Sequence, residues 1–204
     1  MADARSPARS KAYPSSTRLA LCLAALLGAC TSAAIKKPTV VPAAPMKLRR
    51  LYVVVDHTVV PNTYATFAER YGGPAWLMSH PIDATSESFS RSLIDALAPL
   101  LEQEGVDAKF RAVPPALDQS LDSAHVAAFA PAAILEVKAI ECKIDWNAVG
   151  CDRLTYDVTV TASATQAPMW QASAANNGGT CCMGSRFRKM ATRIVNRLKL
   201  DSVI

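Results

Sequence analysis

Cysteine and histidine are the side chains of this sequence best suited to bond-making chemistry. Beyond its N-terminal region the chain has four cysteines, Cys142, Cys151, Cys181 and Cys182, and three histidines, His57, His80 and His125. The cysteine spacing, two cysteines with eight residues between them and then an adjacent pair, matches no zinc motif, and no histidine lies near it, so no metal site and no cofactor are expected. Disulfides are the stronger reading. Cys142 and Cys151 bracket a short loop between two β-like runs, and residue parity places both on the polar face, where a cross-strand bridge is feasible. Closing so small a loop contributes about 2.5–3 kcal/mol in the chain-entropy model. Direct opposition of the two cysteines, however, sets Glu136 across from Asp157, an unfavourable like-charge pair. A register shifted by two residues pairs Lys138 with Asp157 and separates the cysteines. Cys181 and Cys182 could form a vicinal bridge or pair with Cys142 or Cys151. Asp56-His57 ends a strand-like run, a place where catalytic groups occur, so an enzyme using His57 and His80 is an alternative. Against it, the sequence has no Gly-x-Ser-x-Gly, no His-Glu-x-x-His and no phosphate loop. The expectation is a protein that is not an enzyme.

The N-terminus settles which compartment such cysteines would meet. Arg5, Arg9, Lys11 and Arg18 precede the apolar run Leu19 to Leu27, which ends in Gly28 and Ala29. A basic region, a short apolar core and small residues describe a secretory signal. The run is too short for a bilayer, which needs about 20 residues. The tetrad Leu27-Gly28-Ala29-Cys30 resembles the lipobox of bacterial lipoproteins. That resemblance implies cleavage before Cys30 and acylation of Cys30, with palmitate-type chains holding the protein to a membrane. Thr31, rather than an acid, leans toward the outer membrane. An exported domain sits in an oxidising space, where disulfides persist.

Three regions follow: residues 1–29 as signal peptide, 30–47 as lipidated cysteine and tether, and 48–204 as one periplasmic α/β domain. The tether carries Pro38, Pro42 and Pro45 and no acid. Such composition favours an extended chain of about 3.1 Å per residue, a reach of up to ~50 Å. The whole chain has 22 Lys and Arg against 17 Asp and Glu. Residues 1–29 hold four of the bases and one acid, which leaves 18 and 16 in the remainder. That near balance, together with export, argues against nucleic acid as a partner.

Hydrophobic periodicity gives the elements that must position these side chains. Arg50 to Asp56 is a β-branched run and reads as a buried strand. Residues 57–85 lose the pattern. They hold Tyr64, Phe67, Tyr71, Trp76 and Met78, which form the candidate partner surface, and Tyr64 to Tyr71 could make a short helix. Ser86 to Glu104 reads as a helix with Asp83 as a candidate N-cap, Pro99 as a kink and Gly105 as terminator. Val106 to Val113 is a strand, Leu121 to Phe129 a short helix and Ala133 to Ile144 a strand. Arg153 to Ser163 alternates strictly, with Leu154, Tyr156, Val158, Val160 and Ala162 on one face. Met169 to Ala174 is a fifth strand, and Gly184 to Leu200 an amphipathic helix whose cations, Arg186 among them, read as an ordinary solvated face. The order β-α-β-α-β-β-β-α predicts an α/β fold: a single-layer mixed or antiparallel sheet of about five strands with helices packed against it.

Several of these features together resemble a type of small periplasmic domain. It is shared by the TolB N-terminal domain, the curli-secretion lipoprotein and the lipoprotein activators of penicillin-binding proteins. The residues that carry the resemblance are the helix from Phe89 to Gly105, the strand Ala132-Ala-Ile-Leu-Glu-Val137, the alternating strand Leu154 to Ala162 and the pair Met169-Trp170. Ala164-Thr-Gln-Ala-Pro168 replaces the Asp-x-x-Thr-Gly turn usual before the last strand. The resemblance implies binding or scaffolding of another cell-envelope component. An oligomeric auxiliary subunit of an envelope transport or secretion machine is the alternative, and a homo-oligomer is compatible with either.

Overall fold

The structure is a computed structural model that describes residues 32–40, 42, 44–60, 63, 66, 82–113, 120–144, 151–177 and 183–204. The chain divides into two units, Met1–Cys30 and Thr31–Ile204. The signal region, with Leu27, Gly28, Ala29 and Cys30, lies outside the described residues.

The second unit is a mixed α/β fold. Its strands are β1 (Ser32–Ile35), β2 (Arg50–Asp56), β3 (Asp107–Val113), β4 (Ala133–Ile144), β5 (Cys151–Ala162) and β6 (Pro168–Asn177). Helices α1 (Ile82–Gln103), α2 (Ser120–Phe129) and α3 (Met183–Leu200) lie among the described residues. The strands form one open six-stranded sheet in the order β1-β6-β5-β4-β2-β3. β2 pairs in parallel with β3 and β4, and the β4-β5-β6-β1 half is antiparallel.

This topology follows from connection length. Parallel neighbours need a crossover, and α1 and α2 supply it on either side of β2. Short links join β4 to β5 and β5 to β6, while β1 reaches β6 from the other end of the chain. α1 begins at Ile82, so Asp83 lies inside the helix and not at its N-cap. It runs on through Pro99 and ends where Gly105 takes φ 71°. There the Val106 N–H donates to the Leu101 carbonyl and the Gly105 N–H to the Glu102 carbonyl, which satisfies two end carbonyls. α3 ends the same way on Ser202, at φ 57°.

One face of the sheet is dry. Leu51, Val53, Val55, Leu135, Val137, Leu154, Val158, Val160 and Trp170 are buried there. Against them α1 sets Phe89, Leu93, Leu97 and Leu101, and α3 sets Phe187, Met190, Ala191, Ile194 and Leu198. The spacing of three or four residues along each helix produces that stripe. On the opposite face, Phe129 at the end of α2 packs on Tyr52, ring centroids 6.5 Å apart.

The single sheet with helices against it is as expected, with six strands where about five were expected; the additional strand comes from the segment read as a tether. Ser32–Ile35 pairs antiparallel with β6, and the contact continues beyond it. Lys36 N–H donates to the Ser173 carbonyl, Thr39 N–H to Gln171, and Gln171 N–H to Val40. Met46 and Leu48 N–H groups donate to Ser202 and Val203 at the end of α3. Proline composition marks the segment as extended, but an extended backbone still has polar groups to satisfy, and so does the outer edge of β6. Pairing them satisfies both.

Candidate functional site

The only sequence-selected histidine whose side chain the structure describes is His57, just past the C-terminal end of β2. Open α/β sheets bind ligands beyond the carboxyl ends of their strands. His57 is instead sealed inside. Its Nδ1 lies 3.0 Å from the Ser90 Oγ of α1, and its Nε2 lies 3.0 Å from the Tyr156 hydroxyl of β5. The rings of Phe89, Tyr156 and Phe187 meet the imidazole edge to face at 5.8, 5.5 and 5.8 Å. His57, Ser90 and Tyr156 are all fully buried.

Electrostatics follow from that enclosure. Burial, reinforced by the nearby Arg186 charge, lowers the His57 pKa to about 3. The ring is therefore neutral at any physiological pH, with one N–H and one lone pair. Both flanking hydroxyls can donate or accept, so either tautomer is satisfied. Burial pushes the Tyr156 hydroxyl above its ordinary value of 10.0, against the opposing pull of Arg186 and of the Asn176 amide. That amide lies beside the phenol without good hydrogen-bond geometry.

Arg186, in the first turn of α3, is fully buried, which corrects its reading as part of a solvated cationic face. Its Nη1 donates to the Cys151 carbonyl at 2.6 Å and its Nη2 to the Asn176 carbonyl at 2.8 Å. One guanidinium thus joins the start of β5, the end of β6 and the beginning of α3. Further along α3, Arg197 pairs with Asp201 at 2.9 Å and Lys199 with Glu104 at 2.8 Å. Asp201 also accepts from the Trp170 indole at 2.8 Å.

Chemically, Ser90–His57 has the pairing of a nucleophile and a general base. Both side chains are sealed from solvent. Asp56, just outside, accepts from the Thr58 N–H at 2.8 Å and turns the chain away from the strand. The cluster is a polar knot tying β2, α1, β5, β6 and α3 together. Among the described residues no group of three or more His, Cys, Asp and Glu could hold a metal ion.

Cys142 and Cys151 are disulfide-bonded, with Cα atoms 5.5 Å apart. Both are buried, not on the polar face. The register explains how. Lys138 pairs with Asp157, the charge-favourable arrangement, and still the cysteines meet. Register shifts between Ala139 and Glu141 and between Lys143 and Ile144 change the parity beyond them. Inward-facing positions thus run Val137, Ala139, Cys142 on β4, while Ile140 turns outward.

The remaining sequence-selected positions are not brought together here. Tyr64, Phe67, Tyr71, Trp76, Met78, His80, Cys181 and Cys182 lie outside the described residues, and for His125 only the helical backbone is described. Sequence reasoning missed Ser90 as a partner of His57, the charge of Arg186 beside it, and Asn176 beside Tyr156. Tyr156 was legible as inward-facing, because it alternates with Leu154 and Val158. No helix among the described residues is long and apolar enough to cross a membrane.

No family model matches the chain, and no curated protein is similar to it. Among solved structures it is similar to the PelC dodecamer from Paraburkholderia phytofirmans, at 13% identity and a TM-score of 0.43, over 80% of this chain and 97% of that one. A single-substitution variant of that dodecamer matches at 11% identity and a TM-score of 0.42, over 80% and 96%.

Proposed function

We propose that this chain is a non-catalytic lipoprotein of the bacterial cell envelope. In this reading acyl chains on Cys30 hold it to the outer membrane, and its α/β domain faces the periplasm and docks another envelope component. The observation that carries the reading is the placement of Leu27-Gly28-Ala29-Cys30. Thr31 alone separates Cys30 from β1, so cleavage before Cys30 leaves every described strand and helix in place. More than one acyl chain suffices for stable anchoring. The Cys142–Cys151 disulfide in the core agrees with an oxidising compartment. Among the described residues, Ser90 and His57 are paired as a nucleophile and a base would be, and their burial supports a non-catalytic reading.

Mass analysis and fractionation of the full chain, beside Cys30→Ala, test this proposal. Wild type should lose residues 1–29, gain acyl mass on Cys30 and sediment with membranes, while Cys30→Ala should lack the acyl mass. A cytosolic wild type that retains Met1 would overturn the reading. Crosslinking of the anchored protein in intact cells then identifies what it docks, including a second copy.

A further inference from the structure

Away from the polar knot, at the opposite end of the parallel strands, the sheet carries a cavity of about 490 Å³. Its walls are Arg50 and Tyr52 of β2, Lys109 and Phe110 of β3, and Ala128 and Phe129 of α2. That volume falls in the range of small-molecule sites. We propose that this cavity binds a small aryl anion, a planar apolar body bearing a carboxylate, phosphate or sulfonate.

The argument rests on what the walls offer and what they lack. Tyr52 and Phe129 present two rings tilted by 50°, a surface suited to a flat apolar body. Two cations border them, and among the described residues no acid lines the cavity. Arg50 is held in place from two sides, by stacking 4.6 Å over the Phe129 ring and by Asp107 at 3.4 Å. Lys109 stands beside Tyr52 in the β2–β3 register and is exposed. It makes no ion pair with any described residue, so its ammonium keeps all three donors for a ligand. An anion therefore meets a fixed guanidinium and an uncommitted ammonium at the border of an apolar recess. A neutral body would gain only the recess. The ten-residue helix α2 brings Phe129 onto Tyr52 at the border of this recess.

Isothermal titration of the full chain in detergent tests this, with naphthalene sulfonate as probe and naphthol as its neutral counterpart. The sulfonate should bind saturably, more tightly than naphthol, and more weakly as salt rises. Lys109→Ala changes an exposed residue and spares the fold. It should weaken the sulfonate about fivefold, the effect of losing one exposed charge-assisted contact, and leave naphthol unchanged. Phe129→Ala should weaken both probes. The proposal is overturned if the sulfonate fails to bind saturably, if naphthol binds as tightly, or if Lys109→Ala binds the sulfonate like wild type.

Discussion

The two faces of the sheet handle polar groups in opposite ways. On the face under α1 and α3, every polar side chain sits among fully buried apolar neighbours, as His57, Ser90 and Arg186 do among Phe89, Tyr156 and Phe187. On the other face, Thr155, Asp157, Thr159, Gln171 and Ser173 line neighbouring strands and stay partly open to water. In the dry layer a polar group left without a partner costs its full desolvation, so His57, Ser90 and Arg186 are held by groups from several elements at once, whereas the buried Asn176 amide has no hydrogen-bond partner among the described residues. On the wet layer water substitutes for a lost partner, and side chains there are free to change or to bind. Stability is therefore concentrated on one face, and the other is available for recognition.

The largest expected effect tests the dry face through pH. The folded state holds the His57 pKa at about 3, below its ordinary 6.5, so between those values the unfolded chain binds a proton that the folded chain refuses. The stability contributed by neutral His57 is full above pH 6.5 and is lost as pH falls toward 3. Denaturation of wild type and His57→Gln at stepped pH should show the wild-type advantage shrinking by about 1.4 kcal/mol per pH unit in that window. A gap independent of pH would mean that His57 is not sealed from water. Next in size is the disulfide that closes the β4–β5 end of the same layer. Replacing Cys142 and Cys151 together by Ala should cost about 2.5–3 kcal/mol in urea unfolding, and a reductant should impose a similar loss on wild type. Equal midpoints in all three samples would contradict the bond. The smallest effect belongs to the wet face and sharpens the contrast within one strand. Thr159→Ala should change stability by less than about 0.5 kcal/mol. Its neighbour Val158→Ala, pointing the other way, should cost about 2 kcal/mol. Similar losses at both positions would erase the distinction between the faces.

Much of this was readable along the chain. β2 and β4 fall where β-branched and alternating runs put them, and Gly105 ends α1 as a glycine in the left-handed region should. The strict alternation of β5 identified Leu154, Tyr156, Val158 and Val160 as inward-facing. Where the reading failed, the information was not local. Ser32–Ile35 has too few residues and too little pattern to announce a strand; β6, far along the chain, makes it one. Arg186 sits between exposed and buried positions of an amphipathic helix, and its charge suggested the surface. It is buried because the carbonyls of Cys151 and Asn176 converge on it.

The sequence by itself determined every element but β1 among those described, the face each strand turns inward over its regular length, and the N-terminal order of basic residues, apolar run and Leu27-Gly28-Ala29-Cys30. These depend on periodicity and on short motifs, which a chain carries whether or not it is folded. Only the tertiary structure decided the register of β4 on β5. Two irregularities there let Lys138 meet Asp157 and still bring Cys142 to Cys151, and a one-residue shift in parity cannot be inferred from an alternating pattern that simply stops. Only the tertiary structure, too, made a hydrogen-bonded knot of His57, Ser90 and Tyr156, since residues 33 and 99 positions apart become neighbours only when the helix and strand that carry them pack.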